Sequence, residues 1–232
     1  MNILLTSAAS SLARALAEML RADHVVRLSE RLPVANLANC AQCALGHDLS
    51  TNLLVRGMEA IVQVAEPLPS DSESQQIDYL TRCTYNLCTA AVAEGVKRLV
   101  YLSTLDLMTQ YDDELLVGER WRPRPTTDAL VLGKHLGERI CREFARENKL
   151  NVVVLRLGKV VRSEAVNTAT IDPLWVDERD VAQAVQRALS VEPMRWAIFH
   201  IQHESPMARF PVGLARHLLQ YTPTYSFVAP SA

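Results

Sequence analysis

Short apolar runs alternate with stretches of helical periodicity along the chain, and this alternation restricts the fold more than any other feature. Apolar runs at residues 2–6, 24–28, 60–65, 98–103, 151–157 and 197–202 have strand length and are rich in Val, Ile and Leu. After the first of them, Leu12, Leu16, Met19 and Leu20 recur at helical spacing. Residues 74–94 read as a long helix closed by Gly95, residues 127–148 as a second and residues 177–191 as a third. Residues 206–220 read as a last helix, with Pro206 suited to its first turn. Gly57 is placed to end a short helix before the third run. Strands this uniformly apolar must be covered on both faces, which predicts a doubly wound α/β domain with helices on both sides of a parallel sheet. The least regular segment is 109–125, where an acidic patch at residues 112–114 precedes Arg120-Trp121-Arg122-Pro123-Arg124-Pro125. It reads either as a lid over a site or as a solvated connection.

The 232 residues suffice for one domain spanning 1–232 that buries its own core without metal or disulfide support. A formal net charge of −2 gives no electrostatic draw toward nucleic acid or an anionic membrane. No stretch approaches the ~20 apolar residues of a membrane helix, and residues 1–7 lack the basic region of a signal peptide. Five scattered cysteines, Cys40, Cys43, Cys83, Cys88 and Cys141, predict reduced thiols in a cytoplasm. Cys40 and Cys43 have CxxC spacing, but a zinc site needs more ligands than the nearby His47, so they read as structural thiols. His200 and His203 fall three apart across a strand end; with His24, His47 and His217 they form no ligand pattern, and no metal is expected.

In doubly wound sheets ligands gather beyond the carboxyl ends of the strands, where the strand order switches. Those ends are residues 6–10, 28–31, 65–68, 103–106 and 158–161. Several landmarks surround them. Asp48-Leu49 precede Ile61-Val62-Gln63-Val64-Ala65. Asn86-Leu87-Cys88-Thr89-Ala90-Ala91 leads through Glu94-Gly95 into Val100-Tyr101-Leu102-Ser103-Thr104. Lys134 is followed by Gly137-Glu138, and Leu155-Arg156-Leu157-Gly158-Lys159-Val160 and Trp175-Val176-Asp177-Glu178-Arg179-Asp180-Val181-Ala182 come later. Jointly, from Ile3 to about Tyr221, this order resembles the extended short-chain dehydrogenase/reductases, the NAD-dependent epimerase/dehydratase family. The resemblance implies a Rossmann-type fold and NAD or NADP as cofactor. It places Thr6, Ser7, Ser10 and Ser11 at the phosphate loop, and Asp48, Leu49 and Ala65 beside the cofactor. Thr104 and Lys134 are what it implies of a catalytic set, Lys134 also as a ribose-binding residue. It further implies a homodimer that pairs the two long helices.

The departures from the family pattern bear on function. The family's first loop reads TGxxGxxG; here Thr6-Ser7-Ala8-Ala9-Ser10-Ser11-Leu12-Ala13 puts Ser7, Ser10 and Ala13 at the three glycine positions. Ser10 would crowd the phosphates and Ser7 would strain the turn if its φ is positive, although the helix N-terminus and the hydroxyls of Ser7, Ser10 and Ser11 still suit an anion. Ser29 stands where the family places an acid for the ribose. Glu30 could meet the 2′-hydroxyl, or Arg31 a 2′-phosphate, and both are also ordinary charges after a strand. In the family's YxxxK pair, one helical turn apart, the lysine lowers the pKa of a tyrosine that exchanges the proton; here the run is Leu130-Val131-Leu132-Gly133-Lys134. Leu80 replaces the family's asparagine. Losing a positioned acid/base costs roughly 10²–10⁴-fold; Tyr111, Asp106 and His135 are the substitutes within sequence reach.

The implied role is therefore a binding, regulatory or scaffold protein for a nucleotide-like or small-molecule ligand, with NAD or NADP binding weak or lost. The alternative is an active NAD(P)-dependent epimerase, dehydrogenase or reductase on a small carbonyl or sugar-type substrate. Residues 159–176 and 203–232 form a substrate-side region that is small beside those of family enzymes acting on nucleotide sugars, which favours a small ligand.

Overall fold

The computed structural model describes residues 1–34, 37, 40–166, 171–205, 208–225 and 227. The strands are β1 (Asn2–Leu5), β2 (Val25–Glu30), β3 (Cys40–Gln42), β4 (Ala60–Gln63), β5 (Arg98–Thr104), β6 (Asn151–Leu157), β7 (Lys159–Val161), β8 (Trp175–Asp177) and β9 (Trp196–Ile201). Seven of them form one parallel sheet in the order β3-β2-β1-β4-β5-β6-β9. The order reverses between β1 and β4, which opens the crevice expected of a doubly wound sheet. β7 and β8 form a separate parallel pair.

Strand pleating sends alternate side chains to opposite faces. Ile3, Leu5, Val62, Val100, Leu102, Val153 and Leu155 join one core with α1 (Ser11–Leu20) and α6 (Glu178–Ser190). Leu4, Ile61, Leu99, Tyr101, Val152 and Val154 join the other. That second layer contains α2 (Leu49–Val55), the pair α3 (Glu73–Asp78) and α4 (Thr84–Ala93), and α5 (Ala129–Arg146). α5 can approach the sheet closely because Gly137 has no side chain: a Cβ there would lie 2.1 Å from the Tyr101 hydroxyl.

The structure moves several expected boundaries. The second strand runs two residues past the expected 28, because Ser29 and Glu30 pair with Ala41 and Gln42 of β3. β3 itself, which carries Cys40, is too short for periodicity to reveal. The helix expected at 74–94 is α3 and α4 joined by a wide π-helical turn, Tyr79–Cys83, and it closes at Gly95 with φ +81°. The last helix is shorter than the expected 206–220. α7 spans Gly213–Leu219; Pro211 has no N–H to donate, and a proline disfavours helical backbone at the residue before it, here Phe210; Pro206 lies outside the described residues.

Residues 109–125 form a packed strap. Val117 is buried with Leu105, Leu107, Met108 and Phe210, and its N–H donates to the Arg209 carbonyl at 2.8 Å. Tyr111 meets Trp121 edge-on and lies 3.8 Å beneath the Arg124 guanidinium.

Candidate functional site

A cavity of about 420 Å³ opens beyond the carboxyl ends of β5 and β6. The first turn of α1 (Ser10, Ser11, Leu12), Glu66, Thr104, and Leu130 and Lys134 of α5 line it, with the segment from Leu157 to Arg162 and Glu178 completing it. Gly158 permits the close approach of the latter segment, since a Cβ there would sit 2.0 Å from the Leu174 carbonyl oxygen.

Of the phosphate-loop residues, Thr6, Ser7 and Ser10 are engaged by the protein. Thr6 accepts from the Val64 N–H at 3.2 Å. Ser7 adopts φ +57°, the left-handed backbone for which glycine is ordinarily used. Its hydroxyl lies 2.6 Å from the Tyr79 hydroxyl and accepts from the Glu66 N–H at 3.1 Å. Ser10 caps α1 by accepting from the Ala13 N–H at 3.1 Å. The N–H groups of Ser11 and Leu12, at the start of α1, have no intrahelical acceptor and border the cavity.

At the end of β2, Glu30 is buried and accepts from the Ala9 N–H at 3.1 Å and the Arg31 N–H at 2.7 Å. Arg31 pairs with Asp71 and lies 4.2 Å over the Tyr79 ring. Burial pushes the Tyr79 hydroxyl up to about 12, with the Ser7 hydrogen bond acting in the opposite direction. Asp48 and Leu49 fall elsewhere. Asp48 is the N-cap of α2, accepting from the Ser50 and Thr51 N–H groups at 3.0 and 3.3 Å, and it borders a separate hollow with Gly46, His47 and Asn86. The Ser50 hydroxyl bond, followed by that from Thr51, holds its carboxyl below the usual range. Leu49 is exposed.

On the other side of the cavity, Lys134 is buried and donates to Glu66 Oε1 at 2.9 Å and to the Leu102 carbonyl at 3.1 Å. Ala65, buried at φ +57°, turns the chain so that Glu66 lines the cavity. Glu66 escapes sequence reasoning because its partner is 68 residues away; the only local signal is an acid directly after the expected strand. Thr104 donates to Asp106 Oδ2 at 2.9 Å and accepts from the Asp106 N–H at 3.1 Å. The Ser103 hydroxyl, buried in the cavity wall, has no partner. Of the other substitutes, Tyr111 donates to the Arg122 carbonyl at 2.7 Å, and neither it nor His135 borders the cavity. Leu80 lies in the π-helical turn against Gly133. The residues brought together are thus Ser10, Ser11, Thr104, Leu130, Lys134 and Glu66, with Glu30 and Arg31 turned to protein partners.

His200 is buried against Arg156 with neither ring nitrogen bonded, and His203 Nδ1 lies 2.8 Å from the Trp175 carbonyl oxygen. Among the described residues, no three His, Cys, Asp or Glu side chains converge as a metal site would need. None of the described helices is long and apolar enough to cross a membrane.

Comparison with known proteins adds the lineage. L-arabinose 1-dehydrogenase (NAD(P)(+)) of Haloferax volcanii is 25% identical over 219 residues, covering 81% of this chain and 82% of that protein. YtbQ of Bacillus subtilis, an uncharacterized protein, is 28% identical over 179 residues, 70% of this chain and 69% of that one. Uronate dehydrogenase from Agrobacterium tumefaciens superposes with a TM-score of 0.85 at 21% identity, covering 97% of this chain and 84% of that one. UDP-N-acetylglucosamine 4-epimerase from Bacillus cereus superposes with a TM-score of 0.79 at 18% identity, covering 98% and 95%. These two share the fold. The family model described as "NAD dependent epimerase/dehydratase family" matches residues 3–172, and the chain belongs to that family.

Proposed function

We propose that the chain is a member of its family without hydride-transfer activity, one that holds a nucleotide-like or other small ligand in the crevice in a binding, regulatory or scaffold role. The observation that carries this reading is the Lys134–Glu66 pair facing Leu130. Lys134 keeps its position, but its charge is met by a carboxylate and the tyrosine it would serve is absent. Leucine has no proton to exchange.

The residues fit one part of an NAD(P) cofactor. The N–H groups of Ser11 and Leu12 at the start of α1, with the Ser10 and Ser11 hydroxyls, suit a phosphate group. The adenosine end fits poorly: Glu30 serves Ala9 and Arg31 is committed to Asp71 and Tyr79. Weak or lost NAD(P) binding follows. A cavity of about 420 Å³ lies within the ~300–1,000 Å³ usual for small-ligand pockets. Calorimetric titration with NAD(H) and NADP(H), beside turnover assays on aldoses and sugar nucleotides, tests the reading. Binding weaker than micromolar and no turnover is the expected result; micromolar binding with turnover overturns it.

A second reading, an active NAD(P)-dependent oxidoreductase or epimerase, is favoured by Thr104 and Lys134 lining one cavity and by the activity named for the Haloferax volcanii relative. It requires that Thr104→Ala and Lys134→Ala each abolish a measurable turnover. We further propose a homodimer through the two long helices. Tyr85 and Leu136 are exposed on them, with Phe144 against Tyr85. Light scattering that finds only monomer refutes this. Five free cysteines support a reducing, cytoplasmic setting.

A further inference from the structure

A second hollow, of about 560 Å³, runs along β9 at the edge of the sheet and shares no lining residue with the crevice. Its floor is apolar, made of Met194, Trp196 and Phe199 with Leu214 and Leu218. Its rim is cationic: Arg120 and Arg122 come from the strap, Arg139 and Arg142 from α5. All four are exposed, and none forms an ion pair with any described carboxylate. Such a concentration of like charge is unexpected on a chain whose net charge is −2.

The two carboxylates in the lining do not supply the missing counter-charge. Glu138 is held by both edges of the buried Arg156 guanidinium, at 2.9 and 2.7 Å. Glu119 accepts the His200 backbone N–H at 3.5 Å, and burial raises its pKa, disfavouring its anion. Arg156 itself, 1% exposed and lining the hollow, has an underused donor: Nη1 meets only the Met108 sulfur at 3.3 Å, a weak acceptor. A ligand that satisfied this arrangement would carry a planar anion matching the guanidinium fork and an apolar body covering the floor.

We propose that this hollow binds an amphipathic carboxylate, its head on the arginine rim and its acyl or aryl body against Trp196, Leu214 and Leu218. The site is separate from the crevice and does not depend on whether the crevice binds a dinucleotide.

Calorimetry on the full chain with dodecanoate, below its aggregation concentration, tests this, with acetate as the head-only control. Saturable dodecanoate binding is expected, weakening as salt is raised, with no acetate binding over the same range. Arg139→Gln/Arg142→Gln should weaken dodecanoate binding about tenfold or more, and Leu218→Glu, which puts a negative charge on the floor, should abolish it. Thr104→Ala, in the crevice, should leave it unchanged. These rim and floor side chains are exposed, so circular dichroism and Tm should confirm folded variants. Absence of binding, equal affinity in the Arg139→Gln/Arg142→Gln variant, or loss of affinity in Thr104→Ala overturns the proposal. So does acetate binding as tightly as dodecanoate, or a dimer that Leu218→Glu dissociates, which would assign this face to a second copy.

Discussion

Ser7 shows how one residue can record a change of use. A left-handed backbone at a non-glycine residue costs roughly 1–2 kcal/mol, yet the Ser7 hydroxyl is engaged with Tyr79 and Glu66, so the side chain offsets its own strain. Ser7→Ala keeps the strain and removes the hydroxyl that meets both the buried Tyr79 hydroxyl and the Glu66 N–H, and should destabilise the fold by roughly 1–3 kcal/mol. Ser7→Gly loses the same bonds but relieves the backbone, so urea denaturation should find it about 1 kcal/mol more stable than Ser7→Ala. Equal stabilities would mean that φ +57° carries no cost here. Lys134 gives a second case. A tyrosine introduced as Leu130→Tyr should titrate near its ordinary pKa of about 10, because Glu66 already neutralises the lysine. In Leu130→Tyr/Glu66→Ala the free ammonium should lower it, and ultraviolet difference titration against the matched Leu130 backgrounds distinguishes the two. Thr104, Leu130 and Lys134 were legible because family spacing marks them. Glu66 was not, since its meaning lies in a contact across 68 residues. At Asp48 the local pattern admits two roles, and the N-cap of α2 accounts for the hydrogen bonds observed.

At the scale of elements, strands and long helices were legible where burial imposes a period, and short or irregular pieces were not. β1, β4, β5 and β6 are apolar on both faces because helices cover both, and their sequence shows it. β3 has only three residues, and its pairing with β2 comes from the sheet rather than from its own pattern. The strap at 109–125 was ambiguous for a related reason: one buried valine among charges has no period. The structure makes Val117 its anchor, fully buried against Leu105, Leu107, Met108 and Phe210. Val117→Ala should cost roughly 1–2 kcal/mol through lost burial and a residual cavity, and it should loosen the strap before the sheet. Limited proteolysis is expected to cut within 109–125 faster than in wild type, at unchanged far-ultraviolet circular dichroism. An unchanged cleavage rate would place the strap's stability in Tyr111, Trp121 and Arg124 instead.

For the molecule as a whole, the sheet buries charge, and acid stability should reveal the cost. Arg156 on β6 and His200 on β9 are register partners, both buried, with Glu138 of α5 closing on the arginine. Burial, and then the Arg156 charge, lower the His200 pKa from its ordinary value to about 3. The imidazole is therefore neutral in the fold at a pH where an unfolded histidine, with a pKa near 6.5, takes up a proton. The sign follows from proton uptake. Above about pH 6.5 both states are neutral and the group is silent; as pH falls from there toward 3, the unfolded state gains protons that the folded state refuses, and stability is lost. This group alone contributes a slope of at most about 1.4 kcal/mol per pH unit across that window. His200→Leu removes two unpartnered ring nitrogens and keeps similar volume, so near pH 7 it should be neutral or slightly stabilising, with some packing against Phe210 exchanged. Its decisive signature is a shallower decline between pH 6 and 4 in chemical denaturation. Parallel pH profiles for the variant and the wild type would mean that His200 protonates within the fold as readily as outside it, and that the acid sensitivity resides in the carboxylates.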